Sequence, residues 1–437
     1  MDDELDYKEG QEKDEGELDA VKDDIAVQRL VEEIAERPSK TSLGLLCDLL
    51  RGRKHIVWEQ NSTCTAVLEM IFEFYAGPDL AIALLAQTTL SILLPCSKDA
   101  LQKFIDSGTC TILSQICHKE HPLLNADTLA IYCALLKHSP GSVKEIPFPK
   151  LARHIPLKDT ACVNELLQIC CLITRSIPSL ATDALRVMNT IREQKVHFNN
   201  RLMTIAIYQI FEHGDSDDWT EGAEFAKEHS MHEIVLEIMS QVDTFNSEDD
   251  IVSLASHCLY AIQLFLDAHI KIPPEIGKRV AMLIQKKCFV RLGNSPIIIH
   301  ALLMKNNCVD RASLTDDGLP LWLLNESQSR NLAYKSTVCQ WFYELCKGDP
   351  SSIEEYICYG LFNLLLEVIL TESKPKKQKR ALKLFEKCIL CQLKETDGTA
   401  VIPIPEDILE EIDSMAVDSP PKVMECARRV LQILGLV

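Results

Sequence analysis

The sequence predicts an all-α protein, a helical solenoid of about nine repeats with three helices in each unit of roughly 42 residues. Three observations carry this expectation. Glycine and proline are sparse, 16 and 19 in 437 residues, and no hairpin turn joins alternating apolar runs. Hydrophobic residues make up 47% of the chain and fall at i, i+3, i+4 and i+7, the spacing of one helix face. A glycine also recurs in phase: Gly108, Gly318 and Gly360 each precede an apolar helix, at separations of 210 and 42 residues, or five periods and one. A chain this long exceeds one ordinary core, but a repeat array escapes that limit because each unit packs only on its neighbours.

Within a unit, a short amphipathic helix (Ala100–Ser107, Ser352–Tyr359) ends at the glycine. A sharp reversal there needs positive φ, which glycine adopts without a Cβ penalty. An apolar second helix follows, then a longer third. Third helices are expected to start near Pro78, Asn125, Thr160, His197, Asp249, Asn294, Arg330, Lys374 and Pro420. In Lys374–Cys391 the buried side is Ala381, Leu382, Leu384, Phe385, Cys388 and Ile389. Intervals of 35, 37 and 52 make the units around residues 140–245 irregular, with Asp215–Asp218 as a loop. One period beyond Gly360, Ile-Pro-Ile-Pro leads into the helix-like Glu406–Met415.

Phe104-Ile-Asp-Ser-Gly108, an apolar helix, then Asn125–Ser139 resembles an armadillo repeat, as do the units from Ser313 and Ser351. The resemblance implies a right-handed superhelical solenoid over residues 25–437, whose third helices line a concave, partner-binding groove. Importin-α-like members carry a Trp followed at i+4 by Asn on those helices. Here Trp58, Trp219, Trp322 and Trp341 are followed by Ser62, Ala223, Glu326 and Leu345. Such proteins also begin with a basic segment, whereas this chain begins acidic.

The formal net charge is −19, and residues 1–24 hold twelve acids against Lys8, Lys13 and Lys22. That composition predicts a disordered acidic tail, and the charge balance argues against nucleic-acid binding, which needs a net basic face. The 18 cysteines fall mainly in apolar runs such as Gln168-Ile-Cys-Cys-Leu172, and no secretory leader is legible. They read as small core residues of a reducing compartment, so a cytoplasmic protein is expected, with the nucleus as the alternative. Leu80–Ser97 is uncharged, but Gln87, Thr88, Thr89 and Ser91 mark it as a buried helix rather than a membrane span.

Charge along the third helices is uneven. Pro78–Pro95 carries only Asp79, whereas the last three carry fourteen basic residues against Glu344, Glu386 and Glu425. The candidate partner-binding residues are therefore Lys335, Lys376, Lys377, Lys379, Arg380, Lys383, Lys387, Arg428 and Arg429. Three readings stay open: a solvated face, a groove for an acidic segment, and a nuclear localisation signal in Lys374–Arg380. The acidic tail is also a candidate internal competitor for that groove.

Chemical signals are weak. No glycine-rich phosphate loop is present, and Cys388-Ile-Leu-Cys391 is a lone pair on an apolar face. Cys110, Cys117, His118, His121 and Cys133 form the best metal-like group, but at no recognised spacing. His229 and His232 read as helix-end residues, and Trp341-Phe-Tyr343 as core. No serine or cysteine sits in a nucleophile context. Neither cofactor nor metal is expected, and no catalysis. The expected function is a protein–protein interaction scaffold or adaptor; the alternatives are a nuclear transport subunit and a regulatory subunit of an enzyme complex.

Overall fold

The computed structural model describes residues 26–51, 62–117, 121–143, 148, 154–155, 157–194, 198–212, 220–241, 248–286, 289–310, 314, 318–348, 353–395 and 403–436. Every regular element among them is helical. The acidic tail, the loop at Asp215–Asp218, His118, Trp58 and Trp219 lie outside the described residues. The chain divides into two compact units, Met1–Met231 and His232–Val437.

In the first unit, α1 (Lys40–Leu50), α2 (Leu80–Cys96), α3 (Ala126–His138), α4 (Thr160–Ser176) and α5 (Asn200–Glu212) pack each against the next. In the second, α6 (Glu248–Asp267), α7 (Ser295–Lys305), α8 (Leu332–Gly348), α9 (Pro375–Glu395) and α10 (Pro421–Ile433) do the same. Helices α2 to α10 begin within three residues of the expected third-helix starts. Helix α1, which the spacing left out, packs on α2 in the same way.

Several of the starts are set by Asx caps. The Asp79 side chain accepts from the backbone N–H of Ala81 and Ile82, Asn125 from Asp127 and Thr128, and Asp159 from Ala161. Asn199 does so for Arg201 and Leu202, and Asn331 for Tyr334. Each cap satisfies N–H groups that the first turn leaves without a helical acceptor, worth about 1 kcal/mol. In α9 and α10 a first-turn proline does without that donor.

Polar contacts between successive stacking helices recur at one repeat length. In the first unit Thr88 and Ser91 donate to Asp127 (2.7 and 2.9 Å) and Thr174 to Gln209 (3.2 Å), across 35–39 residues of sequence. In the second, Trp341 donates to His300 (3.0 Å), Arg380 to Gln340 (2.8 Å) and Arg429 to Glu386 (3.1 Å), across 40–43. Between α4 and α5, which the Thr174–Gln209 bond joins, stands the single helix Ala181–Glu193 with a 3₁₀ turn, where α3 is preceded by two helices, Lys98–Asp106 and Cys110–Cys117.

The phase-locked glycines are left-handed, as their role requires: φ is 74° at Gly108, 65° at Gly318 and 102° at Gly360. After Thr220–Glu228 no glycine ends the helix, and Ser230 takes φ 52°. There Met231 N–H donates back to the Ala226 carbonyl at 2.8 Å, the six-to-one bond that closes a helix around a left-handed residue.

Burial follows the period. Helix α2 packs between α1 and α3, and among the described residues no helix is long and apolar enough to cross a membrane. Trp341 and Phe342 are fully buried, with Trp341–Phe342 and Phe342–Tyr356 meeting edge to face at 5.1 and 5.5 Å. The described cysteines are free thiols, buried apart from the half-buried Cys110 and Cys391 and the exposed Cys96 and Cys358.

Candidate partner-binding groove

Helix α9 exists because one of its faces is apolar. Ala381, Leu382, Leu384, Phe385, Cys388 and Ile389 are each 0% exposed, as their spacing predicts. The opposite face carries Lys376, Arg380, Lys383 and Lys387 at i, i+4, i+7 and i+11, a single stripe along the helix.

The nine candidate cations divide by what they touch. Lys377 lies 3.5 Å from Glu372, and Lys335 pairs with Glu367. Arg380 donates to Gln340, stands 4.0 Å from Glu344 and lies over the Tyr343 ring at 5.9 Å. Lys387 donates to the Cys346 carbonyl at 2.9 Å, Arg428 to the Ala416 carbonyl at 3.1 Å, and Arg429 to Glu386. Lys376, Lys379 and Lys383 have no partner among the described residues. Two of these cations, Lys335 and Lys377, are therefore paired with acids that the helix-by-helix count omits. These acids, Glu367 and Glu372, come from the preceding helix Phe362–Thr371 and its end.

Glu372, 8% exposed, joins three segments. It accepts from the Ser336 hydroxyl of α8 and from the Lys374 backbone N–H ahead of α9, and faces Lys377. Burial opposes its ionisation, but these donors and the lysine outweigh it and hold the carboxyl below its usual range.

Sequence reasoning missed the surface next to this stripe. Helices α7, α8 and α9 enclose an open recess of about 360 Å³ whose lining includes Ile298, Ala301, Thr337, Gln340, Glu344 and Arg380. Ile298 also lines a second recess of about 400 Å³, between α6 and α7, with Tyr260 and Gln263. Tyr260 and Ile298 are 44% and 45% exposed. Ile298 sits in an unbroken Ile-Ile-Ile run, where periodicity cannot say which residue faces outward. Glu344 is 4% exposed, and its Oε2 is buried without a hydrogen-bond partner among the described residues.

The metal-like group includes His118, which lies outside the described residues; among those described, no His, Cys, Asp or Glu cluster suited to a metal occurs. Burial pushes the Cys117 thiol up to about 12, and Cys133 donates to the Glu165 carbonyl at 3.8 Å. Cys388 is likewise core.

No protein-family model matches the chain, and no curated protein matches it. Among solved structures it is similar to an engineered protein, at 13% identity over 94% of this chain and 98% of that one, with a TM-score of 0.50. That likeness is one of fold alone. A chain of the AP-3 complex, described as a homology model in an intermediate open conformation, aligns at 13% identity over 95% of this chain and 84% of its own. Its TM-score of 0.40 carries no argument.

Proposed function

We propose that this protein is a non-enzymatic interaction scaffold that holds an acidic partner segment on the stacking helices of its second unit. The supporting observation is Lys376, Lys379 and Lys383: three cations on one helix, without acidic partners among the described residues, in a chain of net charge −19. Like charges gathered on one face repel, and an anionic partner relieves that repulsion. In this reading the array is an armadillo-like, right-handed superhelix of about nine repeats working in the cytoplasm.

The test is fluorescence anisotropy of a labelled Glu/Ser-rich peptide against the full chain and a Lys376→Glu, Lys379→Glu, Lys383→Glu variant. The reading expects binding that weakens with salt and is lost in the variant. Equal binding by both proteins sinks it.

A further inference from the structure

The stack α6–α7–α8–α9 changes chemistry from one end to the other. At α6 and α7, Tyr260 and Ile298 hold large apolar side chains at the surface around a recess. At α9, Lys376 and Lys383 flank Arg380 along the stripe. Arg380 is pre-oriented: one Nη1 N–H is held by Gln340 and its guanidinium lies over Tyr343, while Glu344 at 4.0 Å is beyond hydrogen-bond length. A guanidinium has five N–H donors in a fixed fork, so most of its capacity is open to a carboxylate. The two ends are continuous, because Ile298 lines both recesses and Arg380 lines the one that α7, α8 and α9 enclose.

We infer that one occupant spans this face: an extended polypeptide segment that seats a large apolar side chain in the Tyr260–Ile298 recess and sets carboxylates on Arg380, Lys383 and Lys376. This rests on the scaffold reading and adds to it a second anchor and a spacing. Charge complementarity selects the acidic end, since Lys305 and Arg380 line the path and its one acid, Glu344, is buried. The exposed Ile298 side chain and Tyr260 ring select the other end, because an apolar contact gains from covering their apolar surface. Packed helices lie about 8–10 Å apart, so two and a half helix steps separate the recess from α9 by roughly 22 Å. An extended chain rises about 3.3 Å per residue, which places the first carboxylate about seven residues from the apolar anchor.

The experiment uses anisotropy with the full chain and three labelled peptides. The first carries a Trp about seven residues from a Glu cluster. The second replaces that Trp by Ser, and the third keeps both ends but brings them about two residues apart. The expected result is that the first binds about tenfold more tightly than either other. Ile298→Ser should remove that advantage while leaving the second peptide's affinity unchanged, with circular dichroism confirming an intact fold. Equal affinity for the first and second peptides overturns the inference and leaves the acidic-segment reading standing. An Ile298→Ser protein that keeps the full preference overturns it equally. Absence of binding by every peptide overturns both readings.

Discussion

Trp341 on α8 donates its indole N–H to Nδ1 of His300 on α7 at 3.0 Å, and both side chains are 0% exposed. The bond fixes the neutral tautomer of His300, with its proton on Nε2, and that nitrogen is buried without a partner. His300→Leu leaves the indole N–H unsatisfied and should cost about 1–3 kcal/mol. Trp341→Ala should cost about 3–5 kcal/mol by opening a cavity. Urea melts of the two variants check both values.

Burial pushes the His300 pKa down from 6.5 to about 3. The unfolded chain therefore binds a proton that the folded chain refuses. This contribution to stability is intact above about pH 6.5 and is lost as pH falls from there toward 3, at up to about 1.4 kcal/mol per pH unit. Melting His300→Leu alongside wild type between pH 7 and 5 should show a shallower pH slope in the variant; parallel slopes refute the assignment.

Glu372 is also shifted down, but by its hydrogen-bond donors and Lys377 rather than by burial. Its folded carboxyl ionises below the usual range, so its contribution is present above about pH 4.5 and is lost as pH falls through the depressed folded value. Glu372→Ala removes acceptors for Ser336 and Lys374 and should cost about 1–3 kcal/mol at pH 7, read as a fall in Tm.

Ser230, at φ 52°, offers a gain. Ser230→Gly should stabilise by about 1 kcal/mol by removing left-handed strain, whereas Gly318→Ala at φ 65° should destabilise by a similar amount. A calorimetric Tm shift in the same direction for both variants contradicts this.

The cations should separate by stability. Alanine at Lys376, Lys379 or Lys383 should alter unfolding free energy by under about 0.5 kcal/mol, as for surface positions without partners. Alanine at Arg380, which bridges α9 to Gln340 and Glu344, should cost about 1–2 kcal/mol.

The fold was legible wherever a local rule acted alone. Apolar spacing and the glycines at 108, 318 and 360 placed the helix starts to within a turn, because each acts over a few residues of chain. The site was legible only in part. That Lys376 and Lys383 share a face with Arg380 follows from helical spacing, but their differing partners follow from packing. Glu344 reaches Arg380 from α8, and Glu372 reaches Lys377 from the segment before α9. Tyr260 and Ile298 carried no sequence signal, since an apolar residue on an apolar helix looks alike whether its outer side is covered or bare. Ser230 was missed for a simpler reason: serine gives no warning of a left-handed backbone.

Within each unit, the polar rungs between stacking helices, such as Ser91–Asp127 and Glu386–Arg429, join residues only about one repeat apart. No rung requires the chain to close a long loop, so the entropy lost before the first tertiary bond forms is small. Such a chain is expected to zip quickly from any nucleus. It should also unzip by whole helices, so that amide protons of α10 exchange faster than those of α8, which is held by neighbours on both sides.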